Sequence, residues 1–162
     1  MLKARFRRGL KPELRLAWRS PAGPAAGLLT WDIQVRGELA VVMVDGELDI
    51  NSGSGLEADL APVADAGRHL ILDLAGLRFC DCAGLSLFLR VQQRARAAGG
   101  SLHLAAPTPR VLRVIAAAQL ADVLPITASV ADTVAALDQA AIAEAVIPAP
   151  PLPRPGDGDR AS

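Results

Sequence analysis

At 162 residues, with 51% of them apolar and a formal net charge of zero, the chain has the length of one domain plus appendages and enough apolar side chains to bury a real core. Its longest apolar runs, such as Val114 to Ala118 and Val41 to Val44, fall far short of the roughly 18 to 20 residues a membrane helix needs. Ala25 to Leu29, behind the basic N-terminus, is too short and too Gly-interrupted for a signal-peptide core, so the expectation is a cytoplasmic protein without stable membrane association.

The neutral total hides an asymmetry. Residues 1–27 carry seven basic side chains (Lys3, Arg5, Arg7, Arg8, Lys11, Arg15, Arg19) against Glu13 alone, whereas residues 28–147 hold eight Arg against fourteen Asp and Glu, a net of −6. An acidic folded part argues against nucleic acid as its partner. Cys80 and Cys82 are the only cysteines. One residue apart on extended backbone they point to opposite faces, so a disulfide between them would be strained.

In chain order, residues 1–27 contain Pro12, Pro21 and Pro24 and no sustained apolar period, which reads as a disordered basic arm, with a short amphipathic helix around Leu10 to Trp18 as the alternative. Trp31 to Arg36 alternates as a half-buried strand, and Gly37-Glu38 suits a hairpin turn. Leu39 to Val44 is continuously apolar and is expected to be a strand buried on both faces. Asp45 to Asp49 follows as an acidic turn with Gly46 as turn or bulge, and the loop Asn51 to Gly55 has serines able to cap a helix. Leu56 to Ala66 is a helical stripe in which Pro62 predicts a kink or a break, with Gly67 as its left-handed end.

His69 to Leu74 is a second buried strand, followed by a Gly-containing turn and the junction Asp81-Cys82-Ala83-Gly84. His69 reads as structural or solvated, because no second His, Cys or carboxylate stands at metal-binding spacing from it. A helix follows with Leu85, Phe88, Leu89, Val91 or Gln92, and Ala95 inward and Arg90, Gln93, Arg94 and Arg96 outward, ended by Gly99-Gly100. Leu102 to Ala105 is a short strand. Thr108-Pro109 opens a helix to about Ala118, with Val111 or Leu112, Val114 and Ile115 inward. Leu124 to Ile126 is a small edge strand. A last helix reaches about Ala145 with Val130, Val134, Leu137, Ala141 and Ala145 inward, and from Pro148 a Pro-rich tail resembles polyproline. The alternation predicts an α/β domain over residues 28–147, a mixed and mostly parallel sheet of about five strands with an antiparallel N-terminal edge hairpin and about four helices, between a disordered arm (1–27) and a disordered tail (148–162).

No nucleophile–base pair is visible, Gly53-Ser54-Gly55 is only a truncated nucleophile-elbow pattern, and there is neither a phosphate-cradling loop followed by Lys nor a His pair at motif spacing, so an enzyme is not expected. Asp49, Asp73 and Asp81 raise the idea of a phosphate-accepting aspartate at one end of the sheet. That chemistry needs an acidic pair for Mg²⁺ and a Lys, and the chain has no Lys after Lys11. The plain alternative makes Asp49 a solvated turn residue and Asp81 a helix cap.

Val44-Asp45-Gly46-Glu47-Leu48-Asp49, the strand at His69 to Leu74, Phe79-x-Asp81-x-x-Gly84-Leu85, the helix ending Ala97-Ala98-Gly99-Gly100, and Ala106-Pro107-Thr108-Pro109 together resemble the STAS domain, and within it the bacterial anti-sigma factor antagonists. The resemblance implies a mixed-sheet fold, no cofactor and no metal, a monomer or weak dimer, and a partner that is an anti-sigma factor of the ATPase-fold serine kinase type. It implies a partner surface formed by Asp49, Asp81, Cys82, Ala83, Gly84, Leu85 and Ser86, and a phosphoacceptor position at Cys82. A phosphate there would sit at a helix N-terminus, tolerated by its own domain but repelling a packed partner.

The chain departs from the family pattern at that position, where Cys82 and the following Ala83 carry no hydroxyl, and Ser86 lies one turn further into the helix. Three consequences compete: an antagonist that serine phosphorylation cannot switch off; redox sensing by Cys82, which a helix N-terminus favours and the adjacent Asp81 opposes; or Cys82 as a small buried side chain in a non-switching module. A STAS subunit of a larger scaffold, of stressosome or lipid-transport type, is the alternative function. Gln119 stands where the family tends to end a helix with glycine.

Overall fold

The structure, a computed structural model, describes residues 18–19 and 29–146. Among these, the strands are β1 (Trp18–Arg19), β2 (Thr30–Arg36), β3 (Leu39–Leu48), β4 (His69–Cys80), β5 (Ser101–Ala105) and β6 (Ile126–Thr127), and the helices are α1 (Gly53–Asp65), α2 (Cys82–Ala97), α3 (Pro109–Ala117) and α4 (Val130–Val146). The strands form one sheet in chain order; β1–β2 and β2–β3 pair antiparallel, and β3 through β6 pair parallel. The expected mixed sheet with an antiparallel edge and four helices is therefore present. The sixth strand, β1, adds two residues beside β2 from within the basic arm; the remainder of that arm, residue 147 and the Pro-rich tail (148–162) lie outside the described residues.

The hairpin turn falls at Gly37, whose φ of +56° suits a residue without Cβ. β3 is not buried on both faces as expected. Ala40, Val42, Val44 and Leu48 are buried, while Leu39, Val41 and Met43 are only half-buried. α1 and α2 close over the face that carries Leu48, whereas α4 meets the sheet at β4 and β5. There Ile71 and Ala105, which alternate to the second face, are fully buried. A run of apolar residues cannot by itself reveal a face that is covered over its neighbours only.

β4 also corrects the reading of a turn after Leu74, because the strand runs on to Cys80. Its pairing with β3 shifts register between Met43 and Asp45 and again between Gly46 and Glu47, so the acidic segment after Val44 is bulged strand, not turn. Gly76 lies opposite Asp45, where a Cβ would come within 2.5 Å of the Asp45 carboxylate and 3.0 Å of the Val44 carbonyl oxygen. That close approach explains a glycine inside a strand.

α1 is one helix despite Pro62, which sits on its exposed side near the C-terminal end, and Gly67 follows it with a φ of +71°. Two ion pairs, Arg90 with Glu57 (2.8 Å) and Arg94 with Asp65 (2.5 Å), clamp α2 to α1. Of the expected inward residues of α2, Leu85, Phe88, Val91, Gln92 and Ala95 are buried and Leu89 is half-buried, and Leu87 is buried as well; the Gln92 amide donates to the Val123 carbonyl at 2.8 Å, which satisfies a side chain only 2% exposed. α3 starts as expected, with Thr108 Oγ1 accepting from Val111 N–H (3.4 Å) and donating to the Leu77 carbonyl (3.1 Å); Leu112 is exposed and Val111 and Ile115 are buried. The edge strand falls at Ile126–Thr127, starting two residues and ending one residue later than expected, where Leu104 and Ala105 supply partners. α4 departs most from its expected stripe. Thr133 is buried and bonded to Thr127, Val130, Val134 and Leu137 are half-buried, and Ala141 is exposed, because the helix passes the edge of the core.

α3 ends in a strained residue. Gln119 has a φ of +57°, the left-handed region that costs an L residue about 1–2 kcal/mol. Gln119→Gly is therefore expected to raise stability by about 0.5–1 kcal/mol after the extra unfolded-state entropy of glycine is counted. A higher urea midpoint at unchanged slope checks this; an unchanged or lower midpoint would show that Gln119 contributes contacts outweighing the strain.

At the opposite end of β4 from Cys80, His69 Nδ1 lies 2.8 Å from Ser101 Oγ, which lies 2.9 Å from His103 Nε2. Burial, and secondarily the neighbouring His69, hold the His103 imidazole below its ordinary value of 6.5. The unfolded chain then binds a proton more readily than the folded one, so this contribution to stability is present above about pH 6.5 and is lost as the pH falls below it. Urea midpoints at pH 7.5 and 5.5 check the sign, and His103→Gln is expected to flatten the dependence.

Candidate functional site

Leu48 pairs with Cys80 at the carboxyl ends of the two longest strands, so Asp49 and Asp81 leave the sheet side by side, and Asp81 N–H donates to the Leu48 carbonyl at 3.3 Å. Carboxyl ends of parallel strands are where α/β sheets place their binding surfaces. Each aspartate is then used by its own loop. Asp81 is the N-cap of α2, its Oδ1 accepting from Gly84 N–H at 3.0 Å. Asp49 Oδ1 accepts from the N–H groups of Asn51 (2.8 Å) and Ser52 (2.9 Å), and these bonds, Ser52 first, hold its carboxyl below the usual carboxylate range.

Ser52, expected as a possible helix cap, does different work. Its hydroxyl accepts from Asp49 N–H (2.9 Å) and donates to the Glu47 carbonyl (3.0 Å), which rigidifies the loop while leaving α1 without a side-chain cap. The loop thereby holds out Ile50, 76% exposed, a residue the sequence reading passed over. An isolated apolar side chain inside an Asp-Asn-Ser loop was the available signal.

Cys82 is the first residue of α2 and is exposed, which overturns the reading of it as a small buried side chain. The buried thiol is that of Cys80, pushed up to about 12 by burial with the Asp81 and Cys82 charges adding. It stays protonated and is a poor nucleophile at neutral pH. Both cysteines are free, and their opposite environments match the alternation expected of them. Ser86 is exposed, but its hydroxyl donates to the Cys82 carbonyl at 2.9 Å, one turn back. Ala83 is half-buried. Gly84 and Leu85, expected at the partner surface, are both buried in the folded chain. A Cβ on Gly84 would lie 2.7 Å from Cys80 Sγ and 2.8 Å from Leu48 Cγ, so glycine lets the first turn of α2 press against the ends of β3 and β4.

Asp73 does not join the two site aspartates. It pairs with Met43 and accepts from Ala75 N–H, seven residues of strand before Cys80 and so about 20 Å from the junction. Among the described residues no three His, Cys, Asp or Glu side chains gather as a metal site, and no helix is long and apolar enough to cross a membrane. A groove of about 310 Å³ between α1 and α2 is lined by Glu57, Arg90 and Arg94, whose charges are already committed to the inter-helix pairs.

The fold and the site define a STAS-type α/β layer in which a central strand delivers an aspartate and a small exposed residue to a helix N-terminus. The STAS domain model matches residues 30–133, and the chain belongs to the STAS domain family. The anti-sigma-B factor antagonist of Bacillus subtilis (strain 168) is 31% identical over 87 residues, covering 54% of this chain and 80% of that protein, so this is an anti-sigma factor antagonist-like member. Two solved structures share the fold: an anti-sigma factor antagonist from Mycobacterium paratuberculosis (TM-score 0.64, 23% identity, 70% of this chain and 97% of that one), and SpoIIAA in its unphosphorylated form (TM-score 0.59, 20% identity, 67% and 96%).

Proposed function

We propose that this chain is a protein-binding regulator that sequesters an anti-sigma factor in the cytoplasm and so frees a sigma factor, acting by association and not by turnover. Asp49, Ile50, Asp81, Cys82, Ala83 and Ser86 form the contact surface, with Gly84 and Leu85 beneath it. The observation that carries the reading is the exposed first position of α2, held by the Asp81 cap beside the rigid Asp49 loop. A related fold, SpoIIAA, has been solved in unphosphorylated and phosphorylated forms. In this chain the residue at the proposed phosphoacceptor position is a thiol, and the nearby Ser86 hydroxyl is engaged with a backbone carbonyl. The partner complex is accordingly constitutive, governed by the amount of protein, where a serine-bearing antagonist would be released by an ATPase-fold kinase partner.

The test mixes the purified chain with an ATPase-fold serine kinase anti-sigma factor from the same organism and labelled ATP. A complex that persists with ATP, without label on the chain, is expected, and Cys82→Ser is expected to acquire both label and ATP-dependent release. Label on the wild-type chain removes the unswitched reading. Absence of a complex, with recovery of the chain in a large or membrane-bound assembly, favours the scaffold alternative.

A further inference from the structure

The chain has only two histidines, far apart in sequence, and the fold brings both to one hydroxyl. His69 and Ser101 are directly paired across β4 and β5, and His103 lies two residues beyond Ser101 on the same face. His69 Nδ1 and His103 Nε2 thus converge on Ser101 Oγ from 2.8 and 2.9 Å, at the far end of β4 from Cys82. Along the sequence no second His, Cys or carboxylate stands at metal-binding spacing from His69, whereas in the fold His103 approaches the same hydroxyl.

We propose that His69, His103 and Ser101 form a site for a divalent transition-metal ion of the imidazole-preferring kind, two ring nitrogens supplying the principal ligands and the hydroxyl and water completing the coordination. The rings stand on neighbouring interior strands of the sheet, so their backbones are fixed by the ladder before any ion arrives. Imidazole suits Cu²⁺, Ni²⁺ and Zn²⁺, and with only two nitrogens the order of affinity follows intrinsic ligand preference, Cu²⁺ above Ni²⁺ and Zn²⁺. Ligation needs neutral imidazole, so binding is expected to weaken as the pH falls. An ion there ties β4 to β5 and stabilises the folded chain by mass action, independently of the surface at Asp49 and Cys82.

Calorimetric titration of the full chain with NiCl₂, and electron paramagnetic resonance with one equivalent of CuCl₂, test this. One bound ion per chain is expected, with nitrogen couplings from imidazole in the copper spectrum. Affinity is expected to fall by at least about tenfold in both His69→Ala and His103→Ala. His103→Gln keeps a polar group facing Ser101 and guards against a loss caused by misfolding; it is expected to lose affinity with a native circular dichroism spectrum. The exposed thiol is the competing ligand, so the titration is repeated on Cys82→Ala, where binding is expected to persist. Binding that survives removal of either histidine, binding that disappears with Cys82, or no stoichiometric binding overturns the proposal. Each leaves the anti-sigma reading untouched, since that is measured by partner association.

Discussion

Cys82→Asp is expected to weaken association with the anti-sigma factor by at least about 30-fold while leaving the domain as stable as before or slightly more so. Cys82 is exposed at the first position of α2, where a carboxylate meets the positive end of the helix dipole and stabilises by about 0.3–1 kcal/mol at most. Against a partner packed on that surface, the same carboxylate becomes an unpaired charge beside Asp81, and an uncompensated interfacial charge costs roughly 2 kcal/mol or more. Opposite signs for folding and binding from one substitution separate a contact site from a structural position. Calorimetry with the partner and a thermal melt of the free chain are the two measurements; unchanged affinity would remove Cys82 from the interface.

Leu48→Ala is expected to destabilise the domain by about 2–5 kcal/mol, a large part of the roughly 5–15 kcal/mol available to a domain. Leu48 is fully buried, and its methyl groups lie 3.4 Å and 2.9 Å from the places where Cβ atoms would stand on Gly53 and Gly84. It therefore wedges the starts of α1 and α2 against the sheet, and its carbonyl holds Asp81. Truncation leaves a cavity beneath both site loops, so partner affinity is expected to fall along with the urea midpoint. A loss below about 1 kcal/mol would mean the two helix starts collapse into the space, contrary to their close packing.

Several features of the site were legible before any coordinates. The change from apolar run to Asp81-Cys82-Ala83-Gly84 announces strand, cap and helix, and the cap bond from Gly84 to Asp81 is what a short carboxylate before a helix does. The strand–helix alternation likewise carries the mixed sheet, because period and length are local properties. The rigid Asp49 loop with Ile50 held outward was not legible: Ser52 could cap a helix or brace a loop, and only its distance to Glu47 and Asp49 decides.

By itself, then, the sequence determined the α/β class, the order of elements, the acidic folded part and the missing hydroxyl at positions 82 and 83, all of which are statements about residue type and near neighbours. Tertiary structure alone decided which face of β3 is covered, that β4 continues to Cys80 through its shifted pairing with β3, that Asp73 stands apart from Asp49 and Asp81, and that His69 and His103 share the Ser101 hydroxyl. Those outcomes depend on which residues stand opposite one another across strands, and registry between segments distant in sequence has no local signature.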